Sequence, residues 1–186
     1  MTILVDEPRW PWRGTTWCHL VSDESYDELH NFARSLGLRR VGFQGDHYDI
    51  DVIHHGLALQ HGAQSCESRE LVRRLRTAGL RQRPRQFEKW SLVEEFSTWS
   101  TSDWLAKNSS AGPLASMLFD WQREAGAACH GFQLRRTTAD ALVLAGYDAP
   151  PMLEESAEDG VFRRLELVPP FRWSVELITP APRAVE

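Results

Sequence analysis

At 186 residues, with 42% hydrophobic and 25% charged side chains, the chain has the make-up of an ordinary globular protein of one large domain or two small ones. Its net charge of −5 argues against a protein whose whole surface binds nucleic acid or anionic lipid. Three cysteines (Cys18, Cys66, Cys129), odd in number and never spaced Cys-x-x-Cys, exclude a disulfide framework or a thiolate zinc site and fit reduced thiols in a cytoplasm.

In chain order, Ile3-Leu4-Val5 predicts a short buried strand ended by Asp6 and Pro8, and the acid after only three apolar residues rules out a signal-peptide core. A Trp-Pro loop follows (Trp10, Pro11, Trp12, Gly14), then a second strand at His19–Val21. Ser25 with Glu28 forms a capping box for a helix with an apolar stripe of Leu29, Phe32, Ala33 and Leu36, stopped by Gly37. Val41–Phe43 reads as strand and residues 45–49 as loop or strand edge. Asp51 caps a helix running to Gly62, Ala63–Cys66 reads as strand, and Ser68 opens a helix ending at Gly79.

This alternation predicts an α/β fold: a small, mostly parallel α/β unit over residues 1–80, a basic linker at 81–89, and a mixed α+β part over 90–186. In that last part Leu92, Val93, Phe96 and Trp99 suggest a helix. Pro113 opens another through Leu114, Met117, Leu118, Trp121, Ala125 and Ala128, and Thr138–Ala145 reads as a third. An acidic loop (Glu154, Glu155, Glu158, Asp159) precedes a strand in which Phe171, Trp173, Val175 and Leu177 alternate with Arg172, Ser174 and Glu176. The longest apolar run, Ala141–Ala145, is too short to span a bilayer, so a cytoplasmic protein without a membrane partner is expected.

Six of the seven histidines fall within the first 61 residues, among several aspartates. Neutral imidazole and ionised carboxylate together suit zinc, manganese or non-haem iron. In an extended segment His47 and Asp49 project to one side, roughly 6–7 Å apart at Cα, so both can reach one ion or one polarised water. Asp6 ends a strand, His19 lies on the next and Asp23 follows it. A site of His19, His47 and Asp49 as ligands, with Asp6 or Asp23 as further ligand or general base, is the resulting expectation. The bland reading stands beside it: Asp23, Asp49 and Asp51 as helix caps, His19 and His47 as hydrogen-bonded structural residues. His54 and His61, about 10 Å apart along one helix, cannot share an ion, His54 and His55 diverge, and His30 borders an apolar stripe.

Val5-Asp6, Trp17-Cys18-His19-Leu20-Val21-Ser22-Asp23, Asp27-Glu28-Leu29-His30-x-Phe32-Ala33, Leu36-Gly37-Leu38, His47-Tyr48-Asp49, Gly62-Ala63 and Ser68-Arg69-Glu70-Leu71-Val72 fall in an order that also carries a family likeness. The first 80 or so residues resemble a family of small bacterial and phage proteins, the domain of unknown function 4031 family. The resemblance implies no activity, cofactor or catalytic residue. The chain departs from the pattern at Cys18, where serine is commoner, and at His54-His55, where a basic residue is usual, which marks those two histidines as surface substitutions.

Arginine outnumbers lysine by 19 to 2, a bias read as the codon usage of a GC-rich genome. Over residues 69–89, seven arginines and one lysine face only two glutamates. Arg69, Arg73 and Arg76 on one helical face, continued to Arg85, suit a phosphate or nucleic acid, or else form a solvated face or dock on the acidic loop. Trp10, Trp12 and Trp17 are candidates to stack on a base or cover a site. Cys18 and His19, adjacent on a strand, point to opposite faces and do not form a nucleophilic pair. The functional expectation is a small metal-dependent hydrolase acting on a phosphate ester or nucleotide, with Arg69, Arg73 and Trp17 meeting the substrate. The alternatives are a non-catalytic regulatory or protein-interaction factor and a nucleic-acid-binding module.

Overall fold

The computed structural model describes residues 2–82, 88–96, 101–107, 114–115, 130–137, 139–147, 156, 160–165 and 172–180. The chain divides into two compact units, Met1–Glu88 and Lys89–Glu186, each built on its own sheet.

In the first unit, β1 (Ile3–Val5), β2 (Trp10–Trp12), β3 (Thr15–Ser22), β4 (Tyr48–Asp51) and β5 (Gln64–Ser65) form one sheet, with α1 (Tyr26–Ser35), α2 (Val52–Gln60) and α3 (Ser68–Thr77). The long strand β3 is its spine. Trp17 pairs with both Trp10 and Asp51, and Leu20 with both Val5 and Tyr48, so β1 and β2 share one edge of β3 and β4 takes the other. The expected mostly parallel sheet is not what forms: every pairing of β3 is antiparallel, and only β1 with β5 runs parallel. Helices do alternate with strands, but tight turns reverse the chain between them. Arg13 (φ +50°) and Gly14 (φ +77°) make a two-residue hairpin, and Gly45 (φ +91°) sits in a turn closed by the Gln44 N–H donating to the His47 carbonyl at 2.8 Å.

Local chemistry sets the helix ends. Ser25 Oγ accepts from the Glu28 N–H at 3.1 Å, the expected cap of α1. The box is only half made, because the Glu28 carboxylate turns to the Ser22 hydroxyl, which in turn accepts from the Ser25 N–H at 3.1 Å. Asp51 Oδ1 accepts from the His54 N–H at 2.9 Å and caps α2. The segment read as a strand at Val41–Phe43 is a short 3₁₀ turn, Arg40–Gly42, and the Trp-Pro loop is strand β2.

Strand alternation gives the sheet two different faces. Ile3, Val5, Cys18, Leu20, Tyr48 and Ile50 turn to α1 and α2 and pack with Leu29, Ala33, Leu36 and Ala58. On the opposite face Leu4 and Val21 lie under Leu71 and Leu75 of α3. That helix covers only one end of its face. Past it, on the same side, come Asp6, His19 and Asp49, then Trp17, Trp10 and Trp12.

In the second unit, β6 (Ser91–Phe96), β7 (His130–Arg136), β8 (Ala139–Gly146), β9 (Val161–Leu165) and β10 (Trp173–Pro180) form an antiparallel sheet ordered β6-β7-β8-β10-β9. Leu142, Leu144, Trp173, Val175 and Leu177 pack with Trp104 and Leu105 of α4 (Thr101–Lys107) and with the helical Leu114 and Ala115. Two expected helices are strands. Ala139–Gly146 is almost wholly buried, and a short apolar run such as Ala141–Ala145 suits a strand covered on both faces. Leu92, Val93 and Phe96 lie on the edge strand β6, where a register shift between Leu92 and Glu94 mimics helical spacing. The strand at Trp173 forms as expected, but Ser174 and Glu176 are buried too, so it is not half-exposed. The helix from Pro113 to Ala128 falls, apart from Leu114 and Ala115, outside the described residues, as do Trp99, Phe171 and the carboxylates of the acidic loop. No helix among the described residues is long and apolar enough to cross a membrane.

Candidate metal centre

The site begins with a break in a strand. The Asp6 N–H donates to the His19 carbonyl at 3.3 Å, one step beyond β1. Pro8 has no N–H to give, so the ladder skips Glu7 and Pro8 and resumes where the Arg9 N–H donates to the Trp17 carbonyl at 3.1 Å. The bulge leaves Asp6 buried beside β3. Its Oδ1 accepts from the His19 N–H at 2.7 Å, and its Oδ2 accepts from His19 Nδ1–H at 3.0 Å and from the Ser68 hydroxyl at 2.6 Å. A carboxylate only accepts, so Nδ1 of His19 carries a proton, and in the neutral ring Nε2 keeps its lone pair.

The second histidine is braced in the same manner. Asp46, 2% exposed, lies 2.6 Å through Oδ1 from His47 Nδ1. Its Oδ2 accepts from Arg81 Nη1 at 2.8 Å and from the Gln82 N–H at 2.9 Å. The other face of His47 meets Asp49: Nε2 stands 3.3 Å from Asp49 Oδ1. Asp49 pairs directly across from His19 in the β3–β4 register, and the two imidazole rings approach edge to face with centroids 5.2 Å apart.

His19, His47 and Asp49 each offer a ligand atom within 4.8 Å of the others. Ligands to zinc sit about 2.0–2.2 Å from the ion, so atoms this near one another could hold a single metal after side-chain rotation. Two imidazoles with one carboxylate fit zinc, manganese or iron(II) and leave coordination positions open. A cavity of about 150 Å³ adjoins the centre, lined by Asp6, His19, Val21, His47, Ser68, Leu71, Val72, Leu75 and Arg81.

The charges of the centre reinforce one another. Burial works against ionised Asp6, Asp46 and Asp49, but hydrogen bonds from His19 and Ser68, from His47 and the Gln82 N–H, and from His47 respectively hold all three below the usual carboxylate range. Burial also works against a charged His47, yet Asp46 and Asp49 on its two sides outweigh it and raise the imidazole to about 9. Without a metal, a proton on His47 ties the carboxylates together. Cys18, on the opposite face, is pushed up to about 12 by burial and by the carboxylates around it, so it is no nucleophile.

Other expected site residues lie elsewhere. Asp23 is four residues beyond His19, and its carboxylate is engaged by the Arg74 guanidinium. Arg69 and Arg73 are exposed and turned about 100–150° around α3 from the face bearing Ser68, Leu71, Val72 and Leu75. Arg73 is paired with Glu70, with Nε 2.7 Å from Oε2. Trp17 shares the face of His19, two residues away, and its indole N–H donates to the Trp12 carbonyl at 3.0 Å. Three of the four remaining histidines of this unit have other partners: His30 contacts the Tyr48 hydroxyl at 2.9 Å, His54 lies 2.8 Å from Asp51, and His61 lies 3.4 Å from Ser35. His55, expected at the surface beside His54, is half-buried with its Nε2 enclosed.

The segment from β1 through α3 that builds this centre is the part that a family model matches. Residues 3–78 match the family model described as protein of unknown function (DUF4031). All three converging residues and Asp6, Asp46 and Ser68 fall inside the DUF4031 region, while Arg81 and Gln82, which hold Asp46 from outside, lie just past its end. No curated protein and no solved structure matches the chain.

Proposed function

We propose that the first unit is a divalent-metal centre used for hydrolysis of a phosphate ester or nucleotide. The observation that carries this reading is the double brace: Asp6 and Asp46 each fix one imidazole at Nδ1, so that His19 and His47 turn toward Asp49. Carboxylate–histidine–metal relays orient a ligand ring and raise its basicity in this way. A bound metal would supply Lewis acidity and a water acidified toward neutral pH. This chain's own residues would orient the ligands and leave a partly exposed carboxylate, Asp49, at the mouth. Zinc, manganese and iron suit the donor set, and a phosphate-bearing small molecule suits the adjoining cavity, which Arg81 helps to line. Asp23, Arg69 and Arg73 have no part in this version of the site.

Elemental analysis of purified protein, followed by chelation, reconstitution and turnover of an activated phosphodiester, tests the reading. Near-stoichiometric metal is expected, with content and turnover both lost in His19→Ala, His47→Ala and Asp49→Ala. A wild-type protein that takes up no metal on reconstitution would falsify it. The direct His47–Asp49 contact favours a second reading, a non-catalytic interaction protein in which a proton on His47 closes the cluster. That protein would be metal-free and would keep its partner when Asp49 is replaced by asparagine.

A further inference from the structure

Next to the centre lies an aromatic surface that the metal chemistry does not use. Trp10 and Trp12 are 59% and 54% exposed, although each could bury about 150–250 Å² if covered. They share a face of the sheet with His19, because Trp10 pairs with Trp17 and Trp12 with Thr15. The Trp10 ring stands edge-on to the His19 ring with centroids 6.4 Å apart. Trp17 stiffens the surface from within. Its ring meets that of Trp12 at 5.3 Å, and its indole N–H is held by the Trp12 carbonyl.

The hairpin carries positive charge at the same place. Arg13 lies over Trp12 with Cζ 4.3 Å from the ring centroid. Its backbone is left-handed (φ +50°), a conformation that arginine seldom adopts, in the turn where β2 meets β3. The outer edge of β2 does not invite a further strand, because Pro11 at its centre has no N–H to pair. The hairpin therefore offers ring faces and a guanidinium, not a backbone ladder.

We propose that this hairpin is the base-binding part of the site. An unpaired nucleobase stacks on Trp10 while the phosphoester attached to it faces His19, His47 and Asp49, and the next base along the strand stacks on Trp12 beside Arg13. Residues two apart on a strand are separated by about 6.8 Å, enough for each indole to take its own base. Sequence-tolerant stacking of this kind, with cations at the backbone, is how single-stranded nucleic acid is held. The inference rests on the phosphoesterase reading for the fate of the ester, but the platform itself can be tested by binding alone.

The test uses the zinc-loaded full chain and fluorescein-labelled single-stranded hexanucleotides, with affinity read by anisotropy at fixed salt. Trp10→Ala and Trp12→Ala should each weaken binding roughly tenfold, within the range for loss of one stacked base. An abasic hexanucleotide should bind the wild type about as weakly as the normal strand binds either variant. Trp10→Phe and Trp12→Phe, which keep a ring, should retain most of the affinity and guard against misfolding of the alanine variants. Equal affinity for abasic and base-bearing strands would overturn the proposal, as would tighter binding of a neutral oligosaccharide. A tryptophan-dependent preference for bases in a protein that takes up neither zinc, manganese nor iron would sink the hydrolase and leave the platform standing. A zinc enzyme without that preference would do the reverse.

Discussion

Asp6 answers three donors, two from His19 and one from Ser68, with two oxygens. It ties β3, α3 and the His19 ring to one point, so its replacement bears on both stability and metal. Asp6→Asn keeps the volume but sets an NH2 either against the His19 backbone N–H or against the His19 Nδ1–H beside Ser68, so a donor meets a donor at His19 in either orientation. Metal affinity is expected to fall 10- to 100-fold, the usual cost of losing a ligand's outer partner, with the far-ultraviolet spectrum unchanged. Competition against a chromophoric chelator measures it. The pH dependence has a defined sign. His47, raised to about 9, must lose its proton before Nε2 can take a metal, so affinity should climb between pH 7 and pH 9. At this scale the sequence was legible in part. Strand alternation placed His47 with Asp49 and separated Cys18 from His19. Asp46 was missed because neighbours on a strand diverge, and only the turn at Gly45 lets Asp46 fold back on His47.

Elements were readable where a cap or a glycine marked their ends. Ser25, Asp51, Gly37, Gly62 and Gly79 bound the helices of the first unit as expected. Strand β8 had no such mark. Its run of Ala, Leu and Val fits a buried helix and a buried strand equally, and only its partners β7 and β10 decide between them. The decision is visible at Gly146, which pairs with Trp173 and leaves no room for a Cβ beneath the indole. Gly146→Ala should therefore destabilise the second unit by about 1–3 kcal/mol through overpacking. Chemical denaturation followed by tryptophan fluorescence checks it. An unchanged midpoint would mean that Trp173 does not lie over that glycine.

The whole molecule joins two units with different histories of legibility. In the first, the alternation of strand and helix was right and the strand directions were not: the two-residue turn at Arg13-Gly14 reverses the chain between β2 and β3, and after α1 strand β4 returns antiparallel to β3. In the second, the expected mixture of helix and strand forms, but two segments read as helices are strands of its sheet. What survives at this scale is a sheet face with three zones: an apolar end under α3, a His–Asp centre, and an exposed tryptophan end. The centre is the claim on which the rest depends. X-ray absorption at the metal edge of the zinc-loaded full chain tests it most directly. The account predicts two imidazole nitrogens and one carboxylate oxygen at about 2.0–2.2 Å, reduced by one nitrogen in His47→Ala. A spectrum with no imidazole scattering, or one that His47→Ala leaves unaltered, would contradict it.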